Sequence, residues 1–262
     1  MRLAIAGKGG TGKTTIAGTL ARVLARSGRD VLAIDADTNP NLALLLGLVA
    51  DRAGISDLPR DAIRREVAPD GTVTNVFVGD AEELIARYGT VGPDGVRLLV
   101  MGTVGHSGSG CLCRAHATVR GLLGQLVADD EATDGGSNGR DVIVDMEAGL
   151  EHLSRGTGRH LSRFVATVEP YYRSMETARR VAELAGELGI RDVLAVANKV
   201  RDAADRAAIA SFCASHGLRL AGEIPYDPTL VEAERAGATP LDYAPDAPAV
   251  TAIRGLAATL MA

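Results

Sequence analysis

Gly7-Lys8-Gly9-Gly10-Thr11-Gly12-Lys13-Thr14-Thr15 follows directly on a short apolar run, Leu3-Ala4-Ile5-Ala6-Gly7. After it come Ile16, Leu20, Val23 and Leu24 at helical spacing, with Gly28 closing the helix. The segment therefore reads G-x-x-x-x-G-K-[ST] between a strand and a helix, the context in which that pattern cradles phosphates. Glycines let consecutive backbone N–H groups turn inward around phosphate oxygens, and the helix N-terminus adds its positive dipole end. Lys13 would neutralise the β- and γ-phosphates, and the Thr14 hydroxyl would take one position on an octahedral Mg²⁺. Gly7-x-Gly9-x-x-Gly12 also satisfies the dinucleotide fingerprint, and Asp35 ends the second strand as a ribose-binding acid would. A nicotinamide fold, however, does not require Lys13-Thr14 and gives Lys8 nothing to do.

Working outward, strand-like apolar runs alternate with helical patterns. Strands are expected at Leu3–Ala6, Val31–Ile34, Val96–Met101, Val142–Asp145, Phe164–Val168 and Val193–Ala197, with a last one near Leu218–Gly222. Helices are expected from Lys13 to Arg26 and from about Ser174 to Gly189. This order predicts an α/β chain: one P-loop NTPase domain over residues 1–262, with a mainly parallel twisted sheet and helices on both faces. Residues 51–95 read as an irregular insertion with a short strand at Val73–Val78, because Pro59, Pro69, Pro93 and several acids interrupt any period.

The chain has 262 residues, 46% hydrophobic and 23% charged, enough for a two-sided core and too apolar for disorder. The first apolar run is too short for a signal-peptide core, so a cytoplasmic protein is expected, and no run is long enough to span a membrane. A net charge of −5 gives no electrostatic reason to expect nucleic acid. Only three of the 28 basic residues are lysines, namely Lys8, Lys13 and Lys199. Where arginine has replaced almost every other lysine, these three are read as kept for a compact ammonium.

With its second lysine, the loop resembles the deviant-Walker ATPases of the MinD, ParA and nitrogenase iron-protein class. That resemblance implies that Lys8 reaches across a two-fold axis to the partner's phosphates, so that hydrolysis depends on a homodimer. It also implies that Asp37, second acid of Asp35-Ala36-Asp37, lies beside the attacking water, with Asp35 supporting the magnesium shell and Asn39 and Asn41 in switch I. Val142-Ile-Val-Asp145-Met-Glu-Ala-Gly149 reads as a strand ending in the acid that holds a magnesium-bound water or the Thr14 hydroxyl. Gly149 and Leu150–Gly156 would then form a switch that orders on the γ-phosphate. The class reads the base at Asn198-Lys199. Guanine-specific relatives place an acid two residues after the lysine, where this chain has the donor-only Arg201. ATP is therefore expected, with Asn198 on the adenine amino group, the Lys199 stem near the ring, and Ile224-Pro225-Tyr226 as a further wall.

Cys111-Leu-Cys113 follows a glycine- and serine-rich loop, just before a helix. Residues two apart in extended chain face one side, so both sulfurs can meet one soft metal. Two thiolates do not complete a tetrahedral site, but a two-fold axis through the metal supplies four. Lys8 asks for the same axis. His106 and His116 are possible auxiliary ligands, whereas Cys213 reads as core packing. Together with Asp145-Met-Glu-Ala-Gly149-Leu-Glu151-His152-Leu-Ser-Arg155-Gly156, Glu169-Pro170 and Asn198-Lys199-Val-Arg201, the Cys-x-Cys is similar to the nickel-insertion ATPases of carbon monoxide dehydrogenase maturation (CooC type).

The resemblance implies a Mg²⁺-dependent ATPase that holds nickel, or zinc, between two chains and loads a client metalloenzyme, with no nucleic-acid or membrane partner. Two rivals differ in observable ways. An iron–sulfur redox ATPase like the nitrogenase iron protein needs a second cluster cysteine where this chain has Ala148. A MinD- or ParA-like regulatory ATPase needs a basic amphipathic tail or a DNA-binding surface, whereas Val250–Ala262 has one charge, Arg254, and reads as a core-packing helix.

Overall fold

The first strand, β1 (Arg2–Gly7), has Leu3 and Ile5 on one face and Ala4 and Ala6 on the other, all buried. Such a strand must lie inside a sheet covered on both sides. The structure, a computed structural model, describes residues 1–48, 63–67, 70, 73–101, 113–132, 139–146 and 160–261. Along the first part of the chain β1 is followed by α1 (Lys13–Arg26), β2 (Val31–Ala36), α2 (Leu42–Leu45), β3 (Ile63–Val67), β4 (Val73–Phe77) and α3 (Ala81–Tyr88). Next come β5 (Thr90–Val91), β6 (Arg97–Val100), α4 (Cys113–Ala132), β7 (Asp141–Met146), β8 (Arg163–Val168) and α5 (Tyr172–Glu187). The chain ends with β9 (Val193–Val200), α6 (Ala203–Ser215), β10 (Arg219–Pro225), α7 (Pro228–Arg235), α8 (Pro240–Tyr243) and α9 (Pro248–Met261).

Eight strands form one sheet in the order β10-β9-β8-β1-β7-β2-β6-β5. Every pairing in it is parallel except that of the two-residue β5 with β6. After β1 the chain first builds outward on one side through β2, and later returns to build β8, β9 and β10 on the other. The C-terminal end of β1 is thus a topological switch point, where open α/β sheets have their crevice. One face carries α1 and α9, through Ile16, Leu20 and Leu24 against Ile253, Leu256 and Leu260. The other carries α3, α4, α5 and α6, and here Cys213 is a buried core residue. The expected fold class is the one observed, and α9 packs into the core.

The reading of 51–95 as irregular is corrected in part. Within it β3 and β4 pair antiparallel as a separate ribbon, and α3 is a regular helix. Asp80 caps α3 by accepting from the Glu83 N–H, and Ala81, Leu84 and Ile85 are buried against the sheet. Two turns of helix are too short to show a period among nearby prolines, so tertiary burial decides here. Among the described residues no helix is long and apolar enough to cross a membrane.

A buried arginine fastens the two ends of the chain. Arg22 of α1 is 2% exposed; it donates to Asp94 at 2.7 Å, to Thr239 at 2.8 Å and to both oxygens of Asp242 at 2.6 and 2.9 Å. Arg22→Ala would leave Asp94 and Asp242 only the more exposed Arg26, take the guanidinium donor from Thr239, and open a void beside α8. We expect it to lower stability by about 2 kcal/mol, read as a lower urea midpoint at unchanged slope.

Candidate nucleotide-binding site

The loop from Gly7 to Thr14 sits at the switch point. Its shape depends on glycine at two positions. Gly7 has φ +148° and a side chain there would meet the Thr167 carbonyl at 2.8 Å; Gly12 has φ +85° and a side chain would meet Asn198 Nδ2 at 2.5 Å. Both the Thr11 N–H and its hydroxyl donate to the Lys8 carbonyl, at 3.2 and 2.7 Å, which tightens the turn. Lys13 is buried with its Nζ 3.4 Å from that same carbonyl. An ammonium held there on the inside of the loop faces the place the phosphates would take. Gly9 and Gly10 are exposed at the lip.

The acids sit deeper. Asp35 and Asp145 are register partners on β2 and β7 and are essentially unexposed. Burial raises Asp145 to about 7, the charge of Asp35 adds to this, and a hydrogen bond from Thr14 works against it. Burial likewise raises Asp35 to about 6. Oδ1 of Asp145 is buried and accepts nothing from the described residues. A buried carboxylate oxygen without a donor, beside the Thr14 hydroxyl, fits a magnesium-bound water. Asp35 is used differently from Asp145. Its two oxygens accept the Asp37 and Leu42 N–H groups, at 3.1 and 2.8 Å, so it shapes the 37–42 loop. Asp37 is half-buried and accepts the Asn39 N–H at 2.8 Å, while Asn41 donates to the Asn39 carbonyl.

Beside the loop opens a cleft of about 500 Å³, lined on one side by Gly12, Thr14 and Thr15 and on the other by Asn198, Lys199, Pro225 and Tyr226. Between Ala197 and Val200 strand β9 advances three residues while β10 advances two, from Glu223 to Pro225. The extra residue is a bulge, and Lys199 within it has φ +57°. This distortion turns both side chains toward the phosphate loop. Asn198 Nδ2 donates to the Thr11 carbonyl at 2.7 Å, leaving its Oδ1 as the acceptor for an amino group. Asp202 caps α6 by accepting from the Asp205 N–H, and Arg201 is paired with Asp205. The acids among the cleft's lining residues are Asp227, whose oxygens accept the Thr229 and Ala249 N–H groups, and Glu234, and neither belongs to the Asn198–Asp205 segment.

Lys199 bridges two parts of the site, donating to the Gly10 carbonyl at 2.6 Å and to Glu169 at 2.7 Å. Glu169 is buried and also accepts the Tyr171 hydroxyl. Burial first and the Glu169 carboxylate second raise that phenol to about 12, so it stays a donor at neutral pH. The Lys8 ammonium lies 5.6 Å from the centre of the Tyr171 ring. The tyrosine and the cleft wall of Leu230, Val231 and Pro240 had no assigned place in the sequence. Glu169, named in the sequence only as part of the Glu169-Pro170 resemblance, follows β8 directly, and that strand-end position beside the switch point is the signal that could have marked it. Cys111, His106, Gly149 and Leu150–Gly156 lie outside the described residues. Cys113 is the first residue of α4 and so is itself helical, not extended, while Leu112 also lies outside the described residues. His116 is buried.

With Lys13 inside the glycine loop and the Thr14–Asp145 pair beside it, this crevice belongs to the P-loop ATP hydrolases, and the protein is an enzyme of that class. The family of the CobQ/CobB/MinD/ParA nucleotide binding domain matches residues 3–241, and the chain belongs to it. It is 38% identical over 249 residues, 94% of this chain and 91% of the other, to the carbon monoxide dehydrogenase accessory protein CooC of Rhodospirillum rubrum, which places it with the CooC type. An uncharacterized ATP-binding protein of Methanocaldococcus jannaschii is 36% identical over 90% of each chain. The MinD cell division protein of Aquifex aeolicus shares the fold, with a TM-score of 0.67 at 21% identity over 99% of this chain and 95% of that one.

Proposed function

We propose that the protein is a homodimeric, Mg²⁺-dependent ATPase of the cytoplasm that holds nickel at Cys111 and Cys113 and assists its insertion into carbon monoxide dehydrogenase. The observation that carries this reading is the similarity to CooC along 94% of the chain. Thr14 and Asp145 would hold the magnesium, with Asp35 behind them, and Asn198, Lys199 and Pro225 would enclose the adenine. When bound, the cation neutralises charge that builds on the phosphate oxygens. Lys13 holds the β- and γ-phosphates, Asp37 orients the attacking water, and Lys8 acts on the partner's nucleotide.

Four thiolates from two chains take nickel or zinc as cargo. Nickel and ATP each favour the closed dimer, so by linkage each strengthens the other's binding. Loss of the γ-phosphate then opens the dimer and releases the ion to the client.

Native mass spectrometry with and without ATP tests this. One nickel per two protomers is expected, bound more tightly with ATP, and lost in Cys111→Ser/Cys113→Ser. Nickel still bound at that ratio in the double variant would refute the site. Broad visible absorbance after anaerobic purification would replace nickel with an iron–sulfur cluster.

A further inference from the structure

All three lysines of the chain meet at the phosphate loop, and they do not point the same way. Lys13 is buried inside it. Lys8 leaves the loop on the outside, over the face of Tyr171. Tyr171 and the adjacent Tyr172 are 40% and 69% exposed, so this ring stands at the molecular surface. Its orientation is nevertheless set. The hydroxyl donates to buried Glu169, the Tyr171 N–H donates to the Glu169 carbonyl at 2.7 Å, and the Ser174 and Met175 N–H groups donate to the Tyr171 carbonyl as α5 begins. Lys199 ties Glu169 back to the Gly10 carbonyl of the loop. A chain of contacts therefore runs from the loop through Lys199, Glu169 and Tyr171 to the ammonium of Lys8, which starts from the same loop.

We propose that Tyr171 is a positioning residue for Lys8: its ring is a perch that holds the ammonium out of its own cradle and at the surface, ready for the nucleotide of a second copy. The proposal rests on the dimeric reading above. If Lys8 made its transition-state contact on its own nucleotide, as Lys13 makes its binding contact, hydrolysis would not wait for a partner. A free lysine would lose orientational entropy on docking that a perched one has already lost. An aromatic face attracts an ammonium modestly at an exposed site, enough to bias the side chain and weak enough to release it.

The lysine count provides the test. Protein labelled with ¹³C at the lysine ε-carbon gives three signals, and Lys8→Arg identifies one of them. In nucleotide-free protein the Lys8 signal is expected to be displaced by the ring current of Tyr171. It stays displaced in Tyr171→Phe, which keeps the face, and returns to the free-lysine position in Tyr171→Leu. At protein concentrations where dimerisation limits the rate, Tyr171→Leu is expected to turn over ATP about two- to fivefold more slowly at unchanged KM, with Tyr171→Phe near wild type. A Lys8 signal at the free-lysine position in the wild type overturns the perch, as does one that Tyr171→Leu leaves in place. Equal turnover in the Leu and Phe variants overturns its role in hydrolysis. Because the spectrum is read without nucleotide, it fails or holds apart from the dimer. An unchanged sedimentation coefficient with ATP would instead sink the dimeric reading and, with it, delivery to a second copy.

Discussion

Equal amounts of Lys8→Ala and Asp37→Ala protein, each nearly inactive alone, are expected to hydrolyse ATP at about a quarter of the wild-type rate once mixed. The Lys8→Ala loss is large because a cation supplied across an interface stabilises charge that develops only in the transition state. Comparable arginine fingers contribute 10³-fold or more. ATP binding is expected to stay within a few-fold, since Lys13 and the loop amides still hold the phosphates. Random pairing makes about half the dimers mixed. In each of these, one site joins an intact Asp37 with an intact Lys8 from the other chain, and the second site has neither. If Lys8 acted within its own chain, no mixed dimer would contain a working site and the mixture would stay inactive. That outcome, read in a steady-state phosphate-release assay, would remove the reason for a dimer.

Raising the pH from about 5 to 7.5 is expected to destabilise the metal-free protein, against the trend of its other carboxylates. Asp145 is held at about 7 and Asp35 at about 6, both above the ordinary aspartate value of 3.8 and both chiefly by burial. Between the unfolded and folded values the native state binds more protons than the unfolded one, so stability falls with pH. It is greatest below the unfolded value and is lost as pH rises through the folded one. For Asp145 alone the interval corresponds to about 4 kcal/mol. The two acids are neighbours, so their contributions do not add. Carboxylates held low, such as Asp94 and Asp141 beside their arginines, act below the window, where their stabilisation is lost on acidification. Asp145→Asn is expected to flatten the slope and to raise the urea midpoint of the metal-free protein at pH 7.5. Mg·ATP binds the ionised form and should stabilise the wild type more as pH rises. Wild-type and Asp145→Asn protein with parallel pH profiles would show that this carboxyl is not the group strained by burial.

The parts of the site that could be read along the chain are those whose information is local. A glycine run with Lys13 and Thr14 between an apolar run and a helical period needs only a dozen residues to be recognised, and it lies where expected. Asp145 at the end of the three-residue apolar run Val142–Val144 is equally short-range. Asn198 reads as a base contact from its place at a strand end; that its amide nitrogen also holds the Thr11 carbonyl, 187 residues away in sequence, is not legible there. Tyr171 was not assigned a place, because an aromatic after a strand looks the same whether or not a lysine from another loop lies over it.

Amino-acid order was enough to establish an alternating α/β sheet with a phosphate loop after its first strand, since apolar period, glycine spacing and strand-end acids act over short distances. Folding alone decided how the crevice is equipped. A bulge of one residue turned Asn198 and Lys199 onto the loop, burial raised Asp35 and Asp145, and Glu169 drew Lys199 and Tyr171 together. Each of these depends on strands that are neighbours in space and remote in sequence, and on a low-dielectric interior that exists only once the sheet is closed over.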